Sequence, residues 1–227
     1  MSDIFSPLSL TISEVFLNGD PVYKIPDYQR PYSWRDEHID KLWDDLITSY
    51  NNNSEDNQSD ANYFLGSLIV VPDENAKGLE NIVDGQQRLT TLMILLNVVK
   101  SLFPNINSEI DANNNPTVVK IGKINLCIKN ANEIARLRLY THDNHQNDFE
   151  NYILSINDFS VYEKPSNADI ENSPKNKFIN TACIFYNRLS RMSSSDAGNF
   201  INYLFNQVKI IKITCSNTAF AIKLFQV

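Results

Sequence analysis

Cysteine, histidine and glycine are scarce in this chain, and each scarcity closes off a class of function. Three cysteines, Cys127, Cys183 and Cys215, are spread over 227 residues. No two stand at zinc-ligand spacing, and each sits in an apolar stretch. They read as reduced core residues of a cytoplasmic protein. The three histidines form no nuclease motif and no Ser–His–Asp set. His38 falls on the polar side of a predicted helix; His142 and His145 flank Asp143-Asn144 at another helix start. The six glycines include no Gly-x-x-x-x-Gly-Lys-Ser/Thr run, so there is no P-loop. No apolar run approaches the roughly 20 residues that cross a bilayer. Met1-Ser2-Asp3-Ile4 lacks the basic-then-apolar order of a secretory signal. Basic charge is also short: 20 Lys and Arg stand against 27 Asp and Glu, for a net charge of −7 and a pI near 5.0. A domain built mainly to grip nucleic acid is usually basic. The balance argues against a principal DNA-binding element, though not against a local basic patch.

What is present is a globular composition, with 42% hydrophobic residues and a length sufficient for one large or two small cores. Leu8 to Ile12 alternates as a short strand or extended entry segment. Tyr23-Lys24-Ile25 alternates as well and stops at Pro26. After the aromatic loop Asp27 to Trp34, the Ser33/Asp36 pair marks a helix start. Ile39, Leu42, Trp43, Leu46, Ile47 and Tyr50 then fall on one helical face. Asn51 to Asn62 reads as a surface loop. Tyr63 to Val71 is a β-branched apolar run that predicts a buried strand ending at Pro72. Asn81-Ile82-Val83 predicts a short strand, Asp84 to Arg88 a turn, and Leu89 to Phe103 a buried helix.

Beyond the Asn-rich stretch Asn105 to Pro116, Thr117 to Ile128 and Ala135 to Tyr140 read as strands. Asp143 is placed to cap a helix running to about Ile156, and Asp158 to Pro174 reads as a loop. Asn176 to Arg191 and Asp196 to Asn206 read as helices, and Val208 to Cys215 as a strand. Ala219 to Val227 has an apolar helical pattern without a cap, from which a truncated chain is expected. The expected architecture is α/β: a core over 1–104 followed by a mixed, mostly helical segment over 117–227.

Two polar segments carry the chemistry. In the first, Ile82 to Leu92, a strand hands over to a helix through Asp84-Gly85-Gln86-Gln87-Arg88. A helix start offers unpaired N–H groups and a positive dipole, both suited to phosphate. Gly85 lets the backbone turn and approach a bound group closely. Arg88 can chelate phosphate oxygens through its planar fork, Thr90 and Thr91 can donate hydroxyl hydrogen bonds, and Asp84 can hold Mg²⁺ or orient water. The same residues also fit a plain polar turn, with Asp84 as an N-cap and Arg88 on the surface. Residue types alone leave both readings open. The second segment is Tyr28-Gln29-Arg30-Pro31-Tyr32-Ser33-Trp34. Its aromatics and arginine suit base stacking and phosphate binding, or packing of the loop on the core, which is the simpler reading for Trp34.

Together these segments resemble one family. Ile25 to Trp34 with Leu42-Trp43-Asp44-Asp45-Leu46 is similar to its first signature. Phe64-Leu65-Gly66-Ser67 with Ile82 to Leu92 is similar to its second, and weaker similarity continues through Arg136-Leu137-Arg138-Leu139 to Phe225. The family is the amino-terminal domain of GmrSD-type restriction endonucleases. The resemblance implies a ParB/sulfiredoxin-like core that binds and hydrolyses a nucleoside triphosphate with Mg²⁺, in the service of restriction of modified or foreign DNA. It implies Asp84, Gln87 and Arg88 as catalytic residues, with Asp84 also a Mg²⁺ ligand. Tyr28, Gln29, Arg30, Tyr32, Trp34, Gly85, Gln86, Thr90 and Thr91 become nucleotide-binding residues. The implied partner is a histidine-asparagine-histidine (HNH-type) nuclease, further along the chain or on another protein, with DNA met through the full-length protein and no membrane involved. An Asn-x-Arg-Gly motif that commonly follows in the family lies beyond Val227, so hydrolysis is expected of the full-length protein. The alternative is a non-enzymatic module whose pocket binds DNA backbone or a protein partner. Nuclease activity in these 227 residues is not expected.

Overall fold

A computed structural model describes residues 5–55, 63–106, 121–139 and 144–225. Its centre is one mixed sheet of six strands, in the order β1-β6-β3-β4-β2-β5. These are β1 (Phe5–Thr11), β2 (Val22–Ile25), β3 (Tyr63–Pro72), β4 (Leu79–Asp84), β5 (Leu137–Leu139) and β6 (Val208–Cys215). β3 runs parallel to β6 and antiparallel to β4, while β2 lies parallel to both β4 and β5. The fold class is α/β, as the sequence implies. The sheet draws on both expected segments, since β6 pairs with β1 and β3 from the first.

The helices are α1 (Ile12–Leu17), α2 (Asp36–Glu55), α3 (Gln86–Leu102), α4 (Ile121–Ile128), α5 (His145–Phe149), α6 (Asn167–Asn172), α7 (Pro174–Leu189), α8 (Ser194–Asn206) and α9 (Thr218–Phe225). The chain turns from β1 into α1 through a capping box. Glu14 N–H donates to Thr11 Oγ1, and Thr11 N–H donates to Glu14 Oε2, which satisfies two end groups reciprocally. α3 is buried over most of its length and meets α7 and α4. One large core joins Ile39, Leu42, Trp43 and Leu46 of α2 to Phe178 and Phe185 of α7 and Phe200 of α8. On the other side of the sheet, Ala221 of α9 closes a small cluster with Ile69, Val71, Val83 and Cys215. All three cysteines are free and buried. Burial pushes the Cys127 thiol up to about 12 and Cys183 up to about 11. Among the described residues no helix is long and apolar enough to cross a membrane.

Several expectations shift. The stretch read as a strand over 117–128 is helical from Ile121; residues 117–120 lie outside the described residues. Ile124, Cys127 and Ile128 recur at helical spacing and are buried, whereas Leu126 between them is exposed. That is a helix's period rather than a strand's alternation. α2 continues through Glu55, so the expected loop begins later, and its remainder is not described. The loop expected over 158–174 contains a 3₁₀ turn at Phe159–Val161 and the short α6. Asp158 and Ser166 cap them by accepting from Ser160 N–H and Asp169 N–H. The cap proposed at Asp143 falls outside the described residues. α5 begins at His145 and passes into a π turn at Glu150–Leu154.

Candidate functional site

The helix after β4 starts at Gln86, three residues earlier than its apolar pattern suggests. Gln86, Gln87 and Arg88 therefore form its first turn rather than the loop before it. The N-cap is Gly85, with φ of +92° and no side chain to bond the first-turn N–H groups. Asp84 is the last residue of β4 and does not cap the helix. Only glycine fits at position 85. Its φ is left-handed, and a β-carbon there would lie 2.8 Å from the carbonyl oxygen of Ser67 and 3.2 Å from Leu68 Cα. The uncapped helix start is thus held against the edge of β3 by the absence of a side chain.

β3 contributes an irregularity of its own. Its pairing with β6 shifts register between Phe64 and Gly66, and Gly66 has φ of +122°. This bulge turns the Ser67 carbonyl toward α3, where it accepts from Arg88 Nη1 at 2.6 Å. The Ser67 hydroxyl lies 3.5 Å from Asp84 Oδ2. One residue of β3 therefore bonds both charged residues of the Asp84–Arg88 turn. A bulge beside a polar cluster is a common way to aim side chains.

The aromatic loop reaches the same place from β2. Gln29 Nε2 donates to the Val83 carbonyl at 2.8 Å. Gln87 Oε1 accepts from Ser33 N–H at 2.8 Å, and Gln87 Nε2 donates to the Pro31 carbonyl at 3.1 Å. The amide of Gln87 is thus occupied in tying the loop to α3. The result is a cleft of about 490 Å³ with Gln29, Arg30 and Trp34 on one wall and Val83 to Arg88 on the other. The two segments the sequence singled out share one pocket, although more than fifty residues separate them. Two guanidinium groups and the start of α3 meet one carboxylate there, a set suited to an anion with a metal or water beside it.

Four candidates stand outside this cleft. Tyr32 is buried, stacked on Phe178 with ring centroids 5.5 Å apart. Its hydroxyl lies 2.8 Å from Thr91 Oγ1 and 3.1 Å from Thr181 Oγ1, and burial pushes its pKa up to about 12. Thr90 and Thr91 are buried and donate to the Gln86 and Gln87 carbonyls one turn back, at 2.8 and 2.9 Å. That back-bonding commits both hydroxyls to backbone carbonyls of the helix's own first turn. Tyr28 is more than half exposed and does not line the cleft. Residue types suggested Thr90 and Thr91 as phosphate donors, but their position past the first turn turns them into the core. Conversely, residue types assigned no role to the bulge between Phe64 and Gly66; its one signal was the Phe64 to Ser67 run within the family-like pattern. Among the described residues no group of three or more His, Cys, Asp or Glu could hold a metal ion.

The family model described as "GmrSD restriction endonuclease, N-terminal domain" matches residues 12–227. A comparison with curated proteins finds no match.

Proposed function

The chain belongs to the GmrSD restriction endonuclease N-terminal domain family, and from that premise we propose that its cleft binds a nucleoside triphosphate and, in the full-length protein, hydrolyses it to regulate or power a nuclease. The observation that carries the reading is the convergence of Arg30, Arg88, Asp84 and the uncapped start of α3 on one cleft of about 490 Å³. Arg88, braced by the Ser67 carbonyl, and Arg30 contact phosphate oxygens. First-turn N–H groups of α3 add donors that carry no desolvation penalty of a full charge. Asp84 holds the attacking water or a metal ion. Gln87 keeps the aromatic loop in place, and Gln86 lines the floor.

Mg²⁺ fits this chemistry. It is commonly held by one or two carboxylates together with substrate phosphates, and Asp84 is the carboxylate the cleft supplies. When bound, the ion neutralises developing phosphate charge. The nuclease partner is an HNH-type domain elsewhere in the system, and DNA is met through the whole assembly.

The test is turnover of nucleoside triphosphate with Mg²⁺ by the full-length protein and its Asp84→Ala variant, beside thermal melting. The reading expects hydrolysis in the wild type, its loss in the variant, and similar melting of both. Hydrolysis by Asp84→Ala at the wild-type rate removes Asp84 from the chemistry.

A further inference from the structure

A second cavity, of about 320 Å³, also has Arg88 in its lining. It shares Arg88 and Trp34 with the main cleft and is otherwise walled by α2 and the start of β3. Its character differs from the cleft's. Leu42 and Leu65 form a buried apolar base. Tyr63 and Trp34 present aromatic rings, both partly buried. Asp45 lies beside Tyr63, whose hydroxyl donates to Asp45 Oδ2 at 3.4 Å. Burial and then the Asp45 carboxylate push the Tyr63 phenol up to about 12, so it remains a neutral donor.

We propose that this second cavity is the nucleobase subsite of the nucleotide whose phosphates occupy the cleft: the base lies against Tyr63 and Trp34, and Asp45 accepts an N–H from its pairing edge. The inference rests on the nucleotide reading of the cleft and extends it. Three observations carry it. The two cavities share Arg88 and Trp34 as lining residues, so a molecule with its charged end in the first has neighbouring space for its other end in the second. The second cavity pairs apolar and aromatic walls with a few polar groups, the usual make-up of a site for a flat heterocycle. Its polar groups are Asp45, Lys41 and His38, the last stacked on Trp34; the Asp45 carboxylate suits an N–H donor, and every common base carries one on its pairing edge. Trp34, for which packing is the simpler reading of the sequence, lines both compartments.

The experiment compares two probes on the full-length protein with Mg²⁺, a nucleoside triphosphate and inorganic tripolyphosphate, by calorimetric titration. The wild type is expected to bind the nucleotide more tightly than tripolyphosphate. Tyr63→Ala and Asp45→Ala are each expected to weaken nucleotide binding about tenfold, the scale of one lost base–aromatic or polar base contact. Neither should weaken tripolyphosphate. Asp45→Ala removes a negative charge, so a purely electrostatic role predicts tighter binding of both probes, the opposite sign for the nucleotide. Asp45 is on the helix surface and partly exposed, so that variant decides the matter if Tyr63→Ala does not fold. Unchanged nucleotide affinity in the variants overturns the base subsite and leaves the phosphate cleft standing. Equal weakening of both probes in a folded variant also overturns it. A wild type that binds neither probe overturns this inference and the nucleotide reading together.

Discussion

The Arg88 guanidinium packs against Gly66, close enough that a β-carbon on residue 66 would sit 2.8 Å from Cζ and 3.0 Å from Nη1. Arg88 is 22 positions further along the chain, in the first turn of α3. The contact exists because β3 bulges at this point and Gly66 takes a φ of +122°. The bulge thereby selects where the arginine's charge is held.

Gly66→Ala should therefore act on function more than on packing. The atoms met by the new methyl are the far end of a flexible side chain, so Arg88 is displaced rather than the backbone. The backbone strain at positive φ costs about 1–3 kcal/mol, and the displaced arginine weakens nucleotide binding on top of that. In an Arg88→Ala background the same substitution should cost no further affinity, because its target is gone. A binding cycle over the four proteins checks this; additive losses would detach Gly66 from Arg88.

Gly85→Ala should be worse for stability than Gly66→Ala. Its β-carbon meets the Ser67 backbone oxygen at 2.8 Å and Leu68 Cα at 3.2 Å, which no rotamer change relieves. Strain at positive φ and overpacking each add about 1–3 kcal/mol. Melting temperatures of the two variants, measured side by side, should rank Gly85→Ala lower.

The strand-to-helix turn was legible in the sequence and its orientation was not. Asp84, Gly85 and Arg88 announce a phosphate-compatible turn through residue type alone, and the aromatic loop announces itself the same way. Their meeting in one cleft depends on Gln29 reaching the Val83 carbonyl and Gln87 reaching Ser33 and Pro31, contacts across more than fifty residues that no local pattern encodes. The apolar pattern starts the helix three residues late because Gln86, Gln87 and Arg88 are polar, and apolar periodicity cannot see a polar first turn. Residue type suits Thr90 and Thr91 to phosphate because a threonine hydroxyl is the same in sequence whether it faces phosphate or, as in this fold, the carbonyl one turn back. Thr117 to Ile128 reads as a strand because it is rich in β-branched residues, whereas the helical spacing inside it spans only the eight residues Ile121–Ile128.

Tyr32→Phe separates the core from the cleft. It removes the hydroxyl beside Thr91 and Thr181 and should cost about 0.5–1.5 kcal/mol of stability, a drop of about 2–4 °C in Tm per kcal/mol for a chain of this size. Nucleotide affinity should be unchanged. A large loss of affinity with wild-type melting would return Tyr32 to the site.

Asp36 gives a pH test of how α2 is fastened to Lys164, which precedes α6, and to Asn180 of α7. Burial alone would raise its carboxyl pKa, but hydrogen bonds from Lys164 and Asn180 outweigh that and leave it below the ordinary value. The folded state thus binds fewer protons there than the unfolded chain. The stabilisation is fully present above the unfolded value of about 3.9 and is lost as pH falls through the lower folded value. Asp36→Asn should be less stable than wild type to urea at neutral pH, and the gap should narrow as pH falls below the unfolded value of about 3.9. A gap that stays constant with pH would mean the carboxylate's charge is not what fastens α2.

The central claim is that the cleft between the aromatic loop and α3 binds nucleoside triphosphate through Arg88. The most direct measurement is calorimetric titration of the full-length protein and its Arg88→Ala variant with nucleoside triphosphate and Mg²⁺, with melting curves to establish that both are folded. The account predicts saturable binding by the wild type, weakened about tenfold or more in the variant, on the scale of a lost charge-assisted contact worth about 1.5–3 kcal/mol. No binding by the wild type, or equal affinity in the two proteins, would contradict it.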